Sequence, residues 1–314
     1  MTPTFFRRDD GHLVVSGPEA PMFLGNLGTN DFNAVPLGGG CPTFFCSPQA
    51  KALHFATAYH VLHEGQHAFW LTTPPTRGAA LLKHLDRYLI SEAVELCDIT
   101  AQRATFHLTG DAAKSILERA IQQPLPELQL HHHCECRLSS GESVSIRSES
   151  PLGRPGFDIV GSSTAAEEIE AALTTAGAMR GTAEQYDVLR ILAGTPEHGR
   201  DYDETRFVME VGGAVDAVSY TKGCYLGQEP IVMSRDRAGH APRSFVMWKS
   251  DTGTVPPPGT KVLHGTDDVG LVTSACLHPD GGAVALGYIR WKHREVGTDV
   301  SIDGVPARIV RTLS

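Results

Sequence analysis

Residues 222–229 read Lys222-Gly223-Cys224-Tyr225-Leu226-Gly227-Gln228-Glu229, a composition that is typical of neither a helix nor a strand. Glycine tolerates positive φ, an ammonium beside a thiol favours the thiolate, and neighbouring amide and carboxylate groups offer donors and acceptors. The segment therefore predicts a ligand-facing loop, with Cys224 as the reactive thiol and Lys222 as its cation. A structural turn around a buried cysteine is the alternative, because free cysteine is often inert core.

The overall composition fits a globular protein of two or three domains. The chain has 314 residues, of which 41% are hydrophobic and 20% charged. A net charge of -9 argues against a general nucleic-acid-binding surface. The first ten residues lack the apolar core of a signal peptide, and no apolar run is long enough to span a membrane. We therefore expect a cytoplasmic protein with neither nucleic acid nor membrane as a partner.

The cysteines are odd in number and scattered along a chain that is large enough to fold without disulfides. This pattern predicts reduced thiols. The seven are Cys41, Cys46, Cys97, Cys134, Cys136, Cys224 and Cys276.

Residues 1–240 mix strand-like and helix-like segments, which predicts an α+β fold. Strands are expected at 13–15 and Arg103–Thr109. Apolar spacing predicts helices over 76–89 and 183–192, and another that Asp111 can cap. The capping-box spacing of Thr164 and Glu167 announces a further helix that ends at Gly177.

After the Pro-rich stretch 255–259 the chain consists of short β-rich runs separated by turn residues, which predicts a small C-terminal β-barrel. The domain boundary is placed between 241 and 255, which gives domains 1–240 and 241–314. The runs that predict its strands are Lys261–His264, 270–274, 283–289, 300–302 and 307–310.

The octapeptide 222–229 resembles the signature of the YgfZ family, folate-binding proteins linked to iron-sulfur cluster assembly and repair and related to the glycine-cleavage T-protein. The similarity extends to 190–196 and to the turn at 28–31, and downstream of the signature it includes Arg235, Arg237, Gly239, His240 and Arg243. This resemblance implies two intertwined α+β subdomains and a C-terminal barrel around a central folate cavity.

The resemblance also implies a set of folate contacts. Tyr186 stands where the family places an aromatic residue against folate, and Asp158 matches the glutamate with which T-proteins bind the pterin. From the residues alone, Tyr186 could equally be a core tyrosine, and Asp158 could merely end a strand. The complete set of cofactor-binding candidates is Tyr186, Asp158, Asn30, Arg190, Tyr225, Gln228, Glu229, Arg235 and Arg237.

Two departures from the related families bear on mechanism. Residues 50–55 resemble the T-protein stretch that carries an aspartate for aminomethyl transfer, but here they contain no acid. His54 could move a proton there, although a satisfied histidine is the simpler interpretation. Met233 replaces an arginine found in many YgfZ-like chains, which weakens the positive charge of that region.

A second cluster of potential metal ligands lies at His131-His132-His133-Cys134-Glu135-Cys136. Imidazole and thiolate suit zinc, but no second ligand pair follows at a zinc-like spacing. We therefore expect a polar strand or loop and no metal site. Cys41 and Cys46 are expected to pack rather than bind metal, because Pro42 and two phenylalanines lie between them.

Taken with the resemblance, the sequence predicts a tetrahydrofolate-binding accessory protein whose partners are iron-sulfur client enzymes or assembly proteins, with Cys224 as the functional thiol. A folate-dependent aminomethyltransferase or related demethylase is the first alternative. A non-catalytic interaction module with a vestigial cavity is the second. The sequence indicates neither the client enzymes nor the oligomeric state.

Overall fold

A computed structural model describes residues 2–314. The chain forms two compact units, and neither is continuous in sequence. The first comprises residues 2–44, His54–Tyr186 and Thr221–Tyr225, and the second comprises Phe45–Leu53, Asp187–Tyr220 and Leu226–Ser314. The domains 1–240 and 241–314 remain a prediction.

The first unit is built on two β-sheets with four helices, and the ends of two of its strands, residues 45–46 and 52–53, belong to the second unit. Its strands are β1 (Thr4–Arg8), β2 (Gly11–Ser16), β3 (Gly40–Cys46), β4 (Ala52–His63), β5 (Gln66–Thr73), β6 (Glu95–Asp98), β7 (Arg103–Thr109), β8 (His133–Arg137), β9 (Ser143–Ser148), β10 (Gly156–Ser162) and β11 (Met179–Arg180). Its helices are α1 (Ala20–Leu27), α2 (Gly78–Asp86), α3 (Ala113–Ile121) and α4 (Ala166–Thr175). The strand predicted at 13–15 lies within β2, and β7 has the predicted bounds.

One sheet has six strands in the order β11-β1-β7-β10-β9-β8, and the other has five in the order β3-β4-β5-β2-β6. Side chains alternate across each strand. On β7, Phe106 and Leu108 therefore pack into an apolar cluster with α3 and α4. Thr105 and His107 point to the opposite face of the six-stranded sheet, where Val160 of β10 packs with Val14 and Trp70 of the five-stranded sheet. The polar side chains discussed below lie on this inner face.

Two of the predicted helix caps are wrong in detail. The helix after Asp111 has Ala112 as its N-cap and no side-chain capping bond. The segment predicted to start at Thr164 begins with a 3-10 turn at Ser163–Ala165, whose cap is Ser162 accepting from the Ala165 N–H. In both cases the N-cap position depends on the exact residue where the helix begins, which helical periodicity does not fix.

The second unit contains a closed six-stranded barrel with the order β12-β15-β14-β13-β16-β17. The remaining helices are α5 (Ala183–Ala193), which begins in the first unit, α6 (Ala214–Ala217) and α7 (Gln228–Met233). The barrel strands are β12 (Arg243–Ser250), β13 (Lys261–His264), β14 (Asp267–Leu277), β15 (Ala283–Arg290), β16 (Asp299–Ile302) and β17 (Val305–Thr312). The predicted α+β class with a C-terminal barrel is confirmed.

The first barrel strand, β12, is missing from the predicted set, because the predicted domain boundary covers 241–255. Both faces of this strand are buried. Val246 and Trp248 pack inside one apolar cluster, whereas Phe245 and Met247 pack in another. A strand buried on both faces shows no alternation of polar and apolar residues, so periodicity does not reveal it.

Among residues 2–314, no helix is long and apolar enough to cross a membrane.

Candidate functional site

The polar cluster on the inner face of the first unit is centred on Asp158 and His107. These residues are direct partners across β10 and β7, so both side chains lie on the same face. His107 Nδ1 donates to Asp158 Oδ1 over 2.7 Å, and His107 is fully buried. Burial would raise the pKa of Asp158, but the hydrogen bond from His107 and the charges of Arg8 and Arg147 outweigh burial and lower it. Asp158 is therefore a buried carboxylate held in its ionised form.

Tyr186 lies in the first turn of α5 and belongs to the same cluster. Its ring contacts Phe6 edge-on with centroids 5.3 Å apart, and the His107 ring with centroids 6.4 Å apart. The Arg8 guanidinium carbon lies 4.7 Å from the centre of the tyrosine ring, and Arg8 is itself oriented by two hydrogen bonds to Asp10. The structure thus brings together Tyr186, predicted to lie against folate, and Asp158, predicted to bind its pterin.

Arg147 is the most unusual buried group of this unit. It lies on β9 with no exposed surface, and its guanidinium carbon is 4.2 Å from the centre of the Tyr59 ring and 4.5 Å from that of Trp70. Nη1 donates to Thr72 Oγ1, whereas Nη2 has no hydrogen-bond partner among residues 2–314. Burial lowers the pKa of Arg147. A buried donor of this kind favours a ligand with an acceptor oxygen or nitrogen.

Sequence reasoning missed His107, Arg8 and Arg147. The one available signal was the alternation in β9, where Val144 and Ile146 mark one face and place Ser145 and Arg147 together on the other. That pattern is equally typical of a solvent-exposed face, because period-two alternation does not say which face a second sheet covers.

The start of the signature segment lies in the first unit and holds the end of α1. The Lys222 ammonium donates to the carbonyls of Gly25, Gly28 and Asn30 over 2.6, 2.6 and 2.8 Å. A cation at this position satisfies carbonyls that the helix end leaves open. The buried Tyr225 ring lies 4.7 Å from the same ammonium. The structure thus brings together the predicted site residues Asn30, Lys222 and Tyr225.

Asn30 and Cys224 differ in how they are held. The Asn30 amide donates to Pro42 O, and its Oδ1 accepts from the Asp31 N–H. Cys224 is exposed, so a reagent or partner can reach its thiol. Two buried thiols lie near this segment. Cys46 donates to Leu226 O, and burial raises the pKa of Cys41 to about 12 against the opposing charge of Lys222. Cys41 is therefore an unreactive thiol, as its predicted packing role requires.

We expect Lys222→Met to lower the free energy of unfolding by about 2 kcal/mol, because three carbonyls at the end of α1 lose a charged donor. Lys51→Met is the matched control, since the Lys51 ammonium donates to the single carbonyl of Thr205. In the same urea titration, the control substitution should lower the free energy of unfolding by less than about 1 kcal/mol. A Lys222→Met protein of unchanged stability whose Cys224 is alkylated more slowly would instead support the predicted role of Lys222 in activating the thiol.

The rest of the signature lies in the second unit. Gly227 has a φ of 80°, and a Cβ there would lie 2.5 Å from Ser47 O and 2.6 Å from Cys46 Sγ. Only glycine, which has no Cβ, can lie this close to Ser47 and Cys46. Gln228 and Glu229 form the first turn of α7, where Gln228 is half-buried and Glu229 is exposed.

The predicted arginines of the second unit have different surroundings. The Arg190 side chain is 4% exposed and is held by Asp201, Asp187 and Glu197. The structure thus places Arg190 in an ion-pair network within this unit. Arg235 pairs with Asp236 and lies over the Tyr220 ring, and Arg237 is exposed. Folate contacts from Arg190, Gln228, Glu229, Arg235 and Arg237 remain predictions.

The cluster of histidines and cysteines at 131–136 is divided between different surroundings. His131 Nδ1 pairs with Glu149, and His133 Nε2 lies 3.1 Å from His60 O. Cys134 and Cys136 are on the opposite face of β8 from His133 and pack against the apolar cluster of α3 and α4. Within residues 2–314, no three His, Cys, Asp or Glu side chains are grouped as ligands for a metal ion.

The two sheets, the closed barrel and the polar cluster define the T-protein-like class of fold. The structure of glycine cleavage system aminomethyltransferase T from Bartonella henselae superposes with a TM-score of 0.87 over 99% of this chain and 85% of that one, at 20% identity. At that identity, the likeness establishes the fold. The predicted T-protein-like architecture is confirmed.

A family model described as the GCVT N-terminal domain matches residues 10–219, and the chain belongs to this family. It is 28% identical over 299 residues to a putative transferase of Arabidopsis thaliana described as chloroplastic, covering 93% of this chain and 66% of that protein. It is 25% identical over 303 residues to an aminomethyltransferase of Rubrobacter xylanophilus, covering 96% of this chain and 79% of that protein. The membership supports the T-protein relationship that the signature predicts.

Proposed function

We propose that the protein binds tetrahydrofolate at the polar cluster of the first unit and acts as a YgfZ-like accessory protein in the assembly or repair of iron-sulfur clusters. The observation that supports folate binding most directly is the Asp158–His107 pair beside Tyr186. A pterin is flat and carries adjacent N–H donors, which suit an aromatic face and a buried carboxylate. Asp158 supplies the acceptor and Tyr186 the aromatic contact.

Two buried polar atoms support the fit of such a ligand. Arg147 Nη2 and His107 Nε2 have no hydrogen-bond partner among residues 2–314. Buried polar groups without a partner are costly, and a polar ligand that pairs with them recovers that cost. A heterocycle with both donors and acceptors on its edge can satisfy a carboxylate and a guanidinium together.

His107 also bears on whether Asp158, with its short side chain, can serve as the acceptor. Asp158 is one methylene shorter than the glutamate of T-proteins, which the resemblance places at this position. The hydrogen bond from His107 fixes the Asp158 carboxylate in one orientation and leaves Oδ2 for a ligand. A positioned short acid retains the acceptor that a pterin needs.

The absence of an acid at 50–55 supports an accessory role over aminomethyl transfer. Ala50 and Ala52 are fully buried, and Lys51 donates to Thr205 O. His54 is buried, and its ring lies 5.2 Å from that of His84. Transfer to tetrahydrofolate requires a positioned carboxylate near the reacting amine, and this segment supplies none.

Cys224 is the residue we propose for contact with client proteins or their clusters, because its thiol is exposed within the signature segment. The expected partners are iron-sulfur client enzymes or assembly proteins, in the cytoplasm. The cytoplasmic location is part of this proposal, and the Arabidopsis relative is described as chloroplastic. A Cys224→Ser protein that restores client-enzyme activity as well as wild type in cells lacking the protein would contradict this role.

Folate binding is tested by calorimetric titration with tetrahydrofolate under reducing, anaerobic conditions. We expect Tyr186→Ala and Asp158→Asn each to weaken binding by about tenfold or more, since a stacked ring or a charged hydrogen bond contributes about 1–3 kcal/mol. Tyr88→Ala is the matched control, because Tyr88 is also a half-buried ring beside a histidine and an arginine.

The control should bind as wild type does. If wild type itself fails to bind tetrahydrofolate, the proposed folate site is wrong and the interaction-module alternative gains support. Equal weakening in Tyr88→Ala and Tyr186→Ala would show that the loss reflects general instability of the first unit.

Folate-dependent aminomethyl transfer is the second candidate, because relatives that cover most of this chain are named aminomethyltransferases. Steady turnover of a methylamine donor with tetrahydrofolate would establish this activity. Binding without turnover would favour the accessory role.

A further inference from the structure

The edge strand β8 carries two thiols that the proposed function does not use. Cys134 and Cys136 are separated by one residue, so both side chains lie on the same face of the strand. Their Sγ atoms are 3.8 Å apart. Cys136 is buried and Cys134 is half-buried, so the pair lies at the border between the apolar cluster and solvent. Cys134 is the more exposed of the two thiols.

The two sulfur atoms are within hydrogen-bond distance, and either thiol can be the donor. Metals bind the thiolate form of cysteine, so a bound ion would replace the protons of both thiols.

A disulfide does not suit this geometry. It requires sulfur atoms about 2.0 Å apart and Cα atoms no more than about 6.8 Å apart. Residues i and i+2 of an antiparallel strand are about 6.8 Å apart, at the upper end of that range, and the sulfur atoms would have to close from 3.8 Å to bonding distance. Every residue of β8 from His133 to Arg137 is in register with β9, so shortening the strand would break this pairing.

The separation instead matches two ligands of one metal ion. Two thiolates that bind a tetrahedral zinc ion at about 2.3 Å lie about 3.8 Å apart. We infer that Cys134 and Cys136 form a two-thiolate site for a thiophilic divalent cation of the zinc class, with external ligands at the remaining positions. Two thiolates neutralise the charge of the ion, so the complex is compatible with the neighbouring apolar cluster.

Metal binding at this site balances in bonds, protons and electrons. One divalent ion forms two metal–sulfur bonds, each thiol gives up one proton to solvent, and no electron is transferred. We expect one ion per chain and the release of close to two protons at neutral pH. The site shares no residue with the proposed folate cluster, so the two hypotheses can fail separately.

The test is a calorimetric titration of the reduced protein with Zn²⁺ in two buffers of different ionisation enthalpy, repeated with Cd²⁺ to record the sulfur-to-metal charge-transfer absorption. Cys134→Ser and Cys136→Ser should each weaken binding by at least about tenfold and lower the number of protons released. Cys97→Ser is the control, because Cys97 is an exposed thiol on the edge strand of the other sheet.

Cys97→Ser should bind as wild type does. If Cys136→Ser fails to fold because that side chain is buried, the half-buried Cys134→Ser carries the test alone. Wild-type affinity in Cys134→Ser would overturn the site. So would a Cys134–Cys136 disulfide that forms readily with glutathione disulfide in a protein that does not bind Zn²⁺.

Discussion

Replacing Arg190 with methionine is expected to lower the free energy of unfolding by about 3–5 kcal/mol, because it leaves a buried carboxylate without its cation. The Asp201 side chain is 0% exposed and lies 2.5 Å from Arg190 Nη1. Arg190 also donates to Ser274 Oγ, which would lose this partner, whereas Thr273 Oγ1 would still donate to Asp201.

Arg200→Met is the matched control for this prediction. Arg200 pairs with the same Asp187 as Arg190 does, over the same 2.7 Å, but its side chain is 44% exposed. An exposed ion pair contributes at most about 1 kcal/mol. Urea unfolding can be followed by tryptophan fluorescence, which reports on both units, since Trp248 and Trp291 lie in the second and Trp70 in the first.

Equal losses of unfolding free energy in Arg190→Met and Arg200→Met would contradict the idea that burial sets the strength of an ion pair.

The same variants also bear on ligand binding. An Arg190→Met protein that keeps most of its stability but loses tetrahydrofolate affinity would support the predicted folate contact of Arg190 over its role in the network.

The second large effect is expected from pH and depends on His12. Burial, together with the charge of Arg147, lowers the pKa of His12 to about 3. The ring is held neutral, because Nδ1 accepts from the Trp70 N–H and Nε2 therefore donates to Thr105 Oγ1. Protonation of Nδ1 would turn it into a donor that faces the Trp70 N–H donor, next to the buried guanidinium of Arg147.

The sign of the pH effect follows from proton linkage. The unfolded chain protonates His12 near pH 6.5, whereas the folded protein does so only near pH 3, so between these values the unfolded state binds the extra proton. The contribution of His12 to stability is complete above the unfolded pKa and is lost as the pH falls. The expected loss is about 2 kcal/mol at about pH 5 and about 4 kcal/mol near pH 3.

His12→Gln isolates this effect, because the glutamine amide can accept from Trp70 and donate to Thr105 but does not titrate. The difference in unfolding free energy between wild type and His12→Gln should narrow by about 2 kcal/mol between about pH 7 and about pH 5. Urea titrations at a series of pH values measure it. Parallel curves for the two proteins would mean that His12 titrates normally and is solvated in the folded state.

Local sequence determined the elements whose pattern does not depend on distant residues. The bounds of β7 and β13 follow from runs flanked by turn residues, and the closed barrel follows from short strands at regular spacing. The signature 222–229 pointed to the family through residue identity, and membership of the GCVT family agrees with it. The YgfZ-like role and its iron-sulfur partners remain a proposal.

Only the tertiary structure decided which partners the polar side chains have. The sequence places Lys222 two residues from Cys224, and its role as the cation of that thiol stays a prediction. The structure adds that its ammonium binds carbonyls more than 190 positions earlier in the chain. Asp158 was found by resemblance, whereas His107 emerged as its partner only from the register of β10 on β7. Local patterns fix which face of a strand is polar, but the free energy of a buried polar group depends on the long-range contacts that satisfy it.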